Sequence, residues 1–123
     1  MIHVAAAVII RNGKVLLASR PADKPPVGWE FPGGKLEPGE TVADAAQREL
    51  REELDLQIIP QQELYHLNTG KLLLSFIRCE ISPDAIPVPR ENQQFRWENI
   101  VPDAPDDLLP NDLKFWNFLN SIK

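Results

Sequence analysis

Gly33-Gly34-Lys35-Leu36-Glu37-Pro38-Gly39-Glu40 runs into Thr41-Val42-Ala43-Asp44-Ala45-Ala46-Gln47, and then into Arg48-Glu49-Leu50-Arg51-Glu52-Glu53-Leu54-Asp55-Leu56. The glycines and Pro38 exclude a long helix ahead of residue 41. Thr41 opens the one strongly helical segment of the chain, which runs to about Leu54, with Asp44 three residues on in a weak form of capping box. Ala43, Ala46, Leu50 and Leu54 recur at helical spacing, so this helix packs one stripe against a sheet.

On the N-terminal side, Ile2 to Ile10 and Lys14 to Ser19 are apolar runs separated by Arg11-Asn12-Gly13. Asn-Gly between such runs favours a type I′ turn, which predicts two antiparallel strands. Pro21 to Gly34 holds four of the 12 prolines and reads as a loop with a short strand at Trp29-Glu30-Phe31. On the C-terminal side, Gln57 to Leu67 and Leu72 to Ile81 read as strands joined by a turn at Asn68-Thr69-Gly70, with a further strand at Gln94 to Trp97. Pro83, Pro87 and Pro89, then Pro102, Pro105 and Pro110, mark two surface connections. Asn111 can cap a last helix whose inward stripe is Leu113, Trp116 and Leu119, widened by Phe115, Phe118 and Ile122. The fold class is therefore mixed α/β (α+β), expected as a single domain over residues 1–123 with no internal repeat.

Composition narrows the function. Thirteen Lys+Arg against 18 Asp+Glu leave a net charge of −5, so no general basic field exists to hold a nucleic acid polymer by its phosphates. Hydrophobic residues at 43% and charged residues at 25% suit a packed core rather than disorder. A single cysteine, Cys79, permits no intramolecular disulfide and no Cys-rich zinc site, and it reads as a buried small apolar side chain. The N-terminus lacks the basic region of a signal peptide, and no apolar run approaches the roughly 20 residues that span a bilayer. A soluble, cytoplasmic chain without a membrane partner is the expectation. His3 and His66 lie in strand-like runs without partner ligands and read as ordinary sheet residues.

The chemistry concentrates on the helix. Glu49, Glu52 and Glu53 stand at i, i+3 and i+4, on neighbouring positions of one helical surface. They repel one another, so either solvent and salt screen them or a cation occupies the gap. Oxygen-only ligands select a hard ion: magnesium fits best, because it is held by a few carboxylates together with substrate phosphates, and manganese is a substitute. A solvated acidic face, with Arg48 and Arg51 in helix ion pairs, is the competing explanation, and spacing alone leaves both open.

The order of residues around the helix resembles the Nudix box: a Gly, five residues, Glu, seven residues, Arg-Glu, an aliphatic, any residue, Glu-Glu, any residue, Gly and an aliphatic. Gly34, Glu40, Arg48, Glu49, Leu50, Glu52, Glu53 and Leu56 match, and Asp55 alone departs, standing where the family has Gly. Asp bears the left-handed conformation of a helix end next best to Gly, so Asp55 is expected to cost some stability and spare the metal site. The resemblance implies a mixed sheet sandwiched between helices. It also implies hydrolysis of a phosphoanhydride in a nucleoside diphosphate linked to another group. In that setting Glu49, Glu52 and Glu53 would ligate Mg2+ (Mn2+ as substitute), and the Gly33 carbonyl would be a further ligand. Arg48 would orient Glu49 or a neighbouring carboxylate, with Glu40 behind it. Glu53, Glu49 and the later Glu91 are alternative general bases.

Arg20-Pro21-Ala22-Asp23 and Trp29-Glu30-Phe31-Pro32-Gly33-Gly34-Lys35 are similar to the MutT-type subgroup, which acts on (deoxy)nucleoside triphosphates including 8-oxo-dGTP and CTP. By that resemblance Arg20 would reach the phosphates, with Lys35 a second candidate. Glu30, Phe31, Pro32 and Gly33 would line the substrate, Phe31 facing a base and Trp29 the pocket wall, although both aromatic rings equally suit the core. Glu91-Asn92-Gln93 ahead of Trp97 is similar to a loop holding an extra metal-binding Glu. Pro110-Asn111 is similar to a segment whose Asn reads a base edge, a role that competes with helix capping. The expected enzyme is a Mg-dependent pyrophosphohydrolase acting on a (deoxy)nucleoside triphosphate, with oxidised forms such as 8-oxo-dGTP among the candidates. The alternatives are the same chemistry on CTP, a dinucleoside polyphosphate or a nucleotide sugar, a non-catalytic nucleotide-binding module, or an acidic interaction face. Monomer and homodimer both remain open.

Overall fold

The computed structural model describes residues 1–21, 23 and 25–122, so Ala22, within the Arg20 to Asp23 stretch, lies outside the described residues. The strands are β1 (Ile2–Arg11), β2 (Lys14–Ser19), β3 (Trp29–Glu30), β4 (Gly33–Lys35), β5 (Ile59–Asn68), β6 (Leu72–Glu80) and β7 (Phe95–Asn99); the helices are α1 (Val42–Leu54) and α2 (Pro110–Ile122). The sheet runs β3-β2-β1-β6-β5, with β4 joined to β1 and β7 to β2. It is mixed: β1 pairs in parallel with β6, Ala5 opposite Ser75, while its pairings with β2 and β4 are antiparallel. Asn12 and Gly13 both take positive φ, 56° and 73°, as a type I′ turn requires.

β1 is buried on both faces, which explains its unbroken apolar run. Ala5, Ala7 and Ile9 point to one cluster with Leu50 and Leu54 of α1, and Ala6 and Val8 to a second with Phe76 of β6 and Phe115 and Trp116 of α2. One helix therefore covers each face of the sheet. Thr41 caps α1 in a complete capping box: the Asp44 N–H donates to Thr41 Oγ1 and the Thr41 N–H to Asp44 Oδ2, both at 3.1 Å. Full burial of Leu50 and Leu54 contributes about 1.5–3 kcal/mol each. That outweighs the few tenths of a kcal/mol by which each like-charge pair of glutamates opposes the helix. Asp55 ends α1 in the left-handed region (φ 52°, ψ 37°), and the Leu56 N–H donates to the Leu50 carbonyl at 3.2 Å, so the last turn keeps its geometry.

Several elements differ from the sequence expectation. The loop from Pro21 to Gly34 ends in β4, a strand that its Gly-Gly start concealed, and Phe31 lies between β3 and β4. β5 starts at Ile59 rather than Gln57 and absorbs Asn68; β7 starts at Phe95 rather than Gln94 and reaches Asn99. On α1, Ala45 is buried with Ala46, Leu50 and Leu54, while Ala43 is only partly covered. Pro87 is buried rather than part of a surface connection. Pro110 is the first residue of α2, a position where its missing N–H costs nothing, so Asn111 sits inside the helix rather than capping it. The inward stripe of α2 is Asp112, Phe115, Trp116 and Leu119, whereas Leu113 and Ile122 are exposed. The polar Asp112 at an inward position hid the true i, i+3, i+4, i+7 pattern. Cys79 is buried, and its thiol is pushed up to about 12 by desolvation.

Candidate active site

The C-terminal half of α1, the turn into β4, the end of β2 and the loop before β7 meet at a cleft of about 310 Å3. The structure brings Arg20, Glu30, Pro32, Gly33, Glu49, Glu52, Glu53 and Glu91 to its walls, with Gln93 beside them. Close approach of the turn to the helix depends on absent side chains. A Cβ at Gly34 would overlap the Glu49 carboxylate, and one at Gly33 the Ala5 carbonyl oxygen.

Arg48 organises the acidic side chains from behind. Its Nε and Nη2 donate to the two oxygens of Glu40 at 2.8 and 2.9 Å, a bidentate pair, and Nη2 also reaches the Lys35 carbonyl at 2.9 Å. Nη1 donates to Glu49 Oε1 at 2.8 Å and to Glu52 Oε2 at 3.3 Å. Glu40 is held down at about 2 by these bonds and by the Glu37 N–H, and the same partners raise Arg48 above its ordinary value. Glu40 therefore fixes Arg48, and Arg48 fixes Glu49.

Glu53 has no arginine partner, only a main-chain hydrogen bond from Gly33. Its Oε2 is buried without a hydrogen-bond partner, and its proton affinity is pushed up to about 9, first by desolvation and then by Glu49, Glu30 and Glu91. Glu49 is also raised by burial, against the pull of Arg48. Glu30 is raised by burial although Arg20 pairs with it at 3.6 Å. Buried carboxylates that cannot all be ionised without a counter-charge suit a hard dication. Among the described residues no three acidic, His or Cys side chains converge into a ready-made ligand cage. The carboxylate oxygens that line the cleft are nonetheless donors of the kind a hard dication takes. The residues present fit such an ion.

Three expected substrate contacts do not reach the cleft. Phe31 is 3% exposed and packs edge-on against Phe76 and Phe115, with centroids 5.9 and 5.1 Å away, so its ring is core and not a stacking surface for a base. The side chain of Lys35 is exposed on β4 outside the cleft, and Asn111, half-buried in the first turn of α2, also lies outside it. His3 bonds Ser75 Oγ at 2.8 Å and His66 is exposed beside Glu63, both within strands.

Two residues near the site were not anticipated. Asp112 is buried, accepts the Phe31 N–H at 3.0 Å, and is pushed up to about 7 by desolvation. A carboxylate three and four residues before Phe115 and Trp116 was the available signal. Gln93 is buried and its Oε1 accepts the Glu91 N–H at 2.8 Å, which shapes the loop carrying Glu91. Further out, Arg96 stacks over Trp29 at 4.2 Å and grips Asp107, while the Trp29 N–H donates to the Asp107 carbonyl. The approach to α2 is thereby tied to β3.

A helix carrying clustered glutamates is pressed through glycine contacts onto the end of a mixed sheet, and the acidic side chains share one cleft with Arg20. The family model of the NUDIX domain matches residues 1–115, and the chain belongs to that family. Such proteins generally use a divalent metal. Over 58 residues, 46% of this chain, it is 57% identical to the CTP pyrophosphohydrolase of Escherichia coli strain K12. Over 59 residues it is 46% identical to the 8-oxo-dGTP diphosphatase of Proteus vulgaris. These segments span 43% and 53% of the two relatives, about half their length. The solution structure of the E. coli ORF135 protein superposes with a TM-score of 0.78 at 32% identity, covering 99% of this chain and 90% of that one. No helix among the described residues is long and apolar enough to cross a membrane.

Proposed function

We propose that the chain is a magnesium-dependent pyrophosphohydrolase of MutT type that cleaves a nucleoside triphosphate to the monophosphate and pyrophosphate. The observation that carries this reading is the buried, unpartnered Glu53 Oε2 in a cleft shared with Glu49, Glu52, Glu91 and Arg20. When bound, a divalent ion would supply Lewis acidity, an acidified water and the charge that keeps the crowded carboxylates ionised. Glu49, Glu52, Glu53 and Glu91 would hold it, with the Gly33 carbonyl beside them. Arg20, whose guanidinium suits phosphate oxygens, would release Glu30 and bind the polyphosphate. Water adds to phosphorus as the P–O anhydride bond breaks. Its proton passes to a carboxylate, Glu53, Glu49 or Glu91, among which Glu53 presents the unpartnered oxygen Oε2. Products are one monophosphate, one pyrophosphate and one proton.

The substrate is a small nucleotide rather than a polymer, in keeping with the net charge of −5. An oxidised purine triphosphate is the first reading. CTP is the second, favoured by the 57% identity to a CTP pyrophosphohydrolase. Pyrophosphate release with magnesium is to be followed over a panel of triphosphates including 8-oxo-dGTP and CTP, with E53Q as control. At least one substrate should turn over about 10²–10⁴ times faster than with E53Q. Rates equal to that control on every nucleotide would reject the proposal.

A further inference from the structure

Asp55 takes a left-handed conformation that glycine, the family's residue at this position, would adopt at lower cost. Its side chain supplies what glycine lacks. Asp55 Oδ2 lies 3.1 Å from Arg90 Nη2. Arg90 belongs to the irregular stretch between β6 and β7, which docks on the end of α1. There the Val88 N–H donates to the Leu54 carbonyl at 2.7 Å, and the Arg90 N–H to the Glu53 carbonyl at 2.9 Å. Both carbonyls are among those a helix end leaves without intrahelical donors. Glu91 follows at once, and its side chain and that of Glu53 line the same cleft. Main-chain hydrogen bonding thus joins Glu53 to the residue immediately before Glu91, and the Asp55–Arg90 pair closes a side-chain link across the same junction.

We propose that Asp55 and Arg90 are positioning residues in this chain: their ion pair clips the Glu91 loop to the end of α1, so that Glu91 is presented with Glu49, Glu52 and Glu53 to a divalent cation. The inference rests on the cation role assigned above to that cluster. Both side chains are about half exposed, 48% for Asp55 and 55% for Arg90, so the pair adds little to global stability. Its effect falls on a segment without regular structure, whose local opening is cheap. Affinity for an ion that needs Glu91 scales with the fraction of molecules in which the loop is docked.

Charge alone predicts something different from the clip. Removing Asp55 subtracts a negative charge and should weaken cation binding, whereas removing Arg90 subtracts a positive charge and should tighten it. The clip predicts that both weaken it. The test is Mn2+ binding to the whole chain, measured by electron paramagnetic resonance of the free ion, for wild type, D55N, R90Q, the double variant and E91Q. Asn retains tolerance of the left-handed backbone, and thermal melts without metal verify folding. R90Q should bind Mn2+ about threefold more weakly, the size expected of an exposed ion pair, and the double variant should be no weaker than R90Q. In an E91Q background neither substitution should matter. Binding by R90Q as tight as wild type or tighter overturns the clip, as does an undiminished effect of D55N and R90Q without Glu91. Failure of the wild type to bind Mn2+ would overturn the cation reading itself, and the clip with it.

Discussion

Glu53 is placed where it harms the resting protein, and the harm can be measured. Its carboxyl is raised from an ordinary value of 4.5 to about 9 by burial and by three facing glutamates. The folded state therefore holds this proton across a range in which the unfolded state has lost it. Stability from the group is complete below pH 4.5 and is lost as pH rises through 9. At about 1.4 kcal/mol per pH unit, the loss between pH 4.5 and 7.5 reaches about 4 kcal/mol, and water penetration reduces it to about 2–4 kcal/mol. Glu53→Gln is isosteric and removes the titration. In EDTA at pH 7.5 it should be more stable than wild type by about 2–4 kcal/mol, a rise in melting temperature on the order of 5–15 °C. At pH 5 the gap should shrink below about 1 kcal/mol. Circular dichroism melts at the two pH values read this directly. An E53Q variant destabilised at pH 7.5, or one whose advantage is the same at pH 5, would refute the reasoning. Added Mg2+ should stabilise wild type more than E53Q, since an ion bound to the native state alone raises its stability by mass action.

Other outcomes follow from the same geometry. Arg48→Lys keeps the charge but loses the planar fork that grips both oxygens of Glu40 while Nη1 donates to Glu49, so Mg2+ affinity or activity should fall about 10- to 100-fold, measured by ion titration of turnover. Gly34→Ala puts a Cβ into the Glu49 carboxylate and should cost about a hundredfold in kcat/KM through misplacement of that group, compared in steady-state assays with the melting temperature. Asp112→Ala leaves the buried Phe31 N–H without an acceptor and should cost about 1–3 kcal/mol in denaturant unfolding, whereas Asp112→Asn keeps one. Because Asp112 is raised from 3.8 to about 7, its stabilisation is complete below pH 3.8 and fades as pH rises through 7. Asp112→Asn should flatten the decline over that interval.

Local patterns carried much of this molecule. The α1 stripe, the capping box at Thr41, the hairpin at Asn12-Gly13 and the spacing of Glu49, Glu52 and Glu53 depend on near neighbours, so periodicity and turn chemistry expose them directly. The family motif likewise fixes which acids share a helical face. Long-range packing settled the rest. Phe31 became core because Phe76 and Phe115 close around it, and β4 formed because β1 offers Ala5 and Ala6 to Gly34 and Gly33. Asp112 turned inward because the Phe31 N–H needed an acceptor inside the second core. The rise of Glu53 comes from desolvation and from Glu30 and Glu91, residues 23 and 38 positions away along the chain (53 − 30 and 91 − 53). Charge interaction and burial act through space, and linear order does not contain those distances until the sheet has folded.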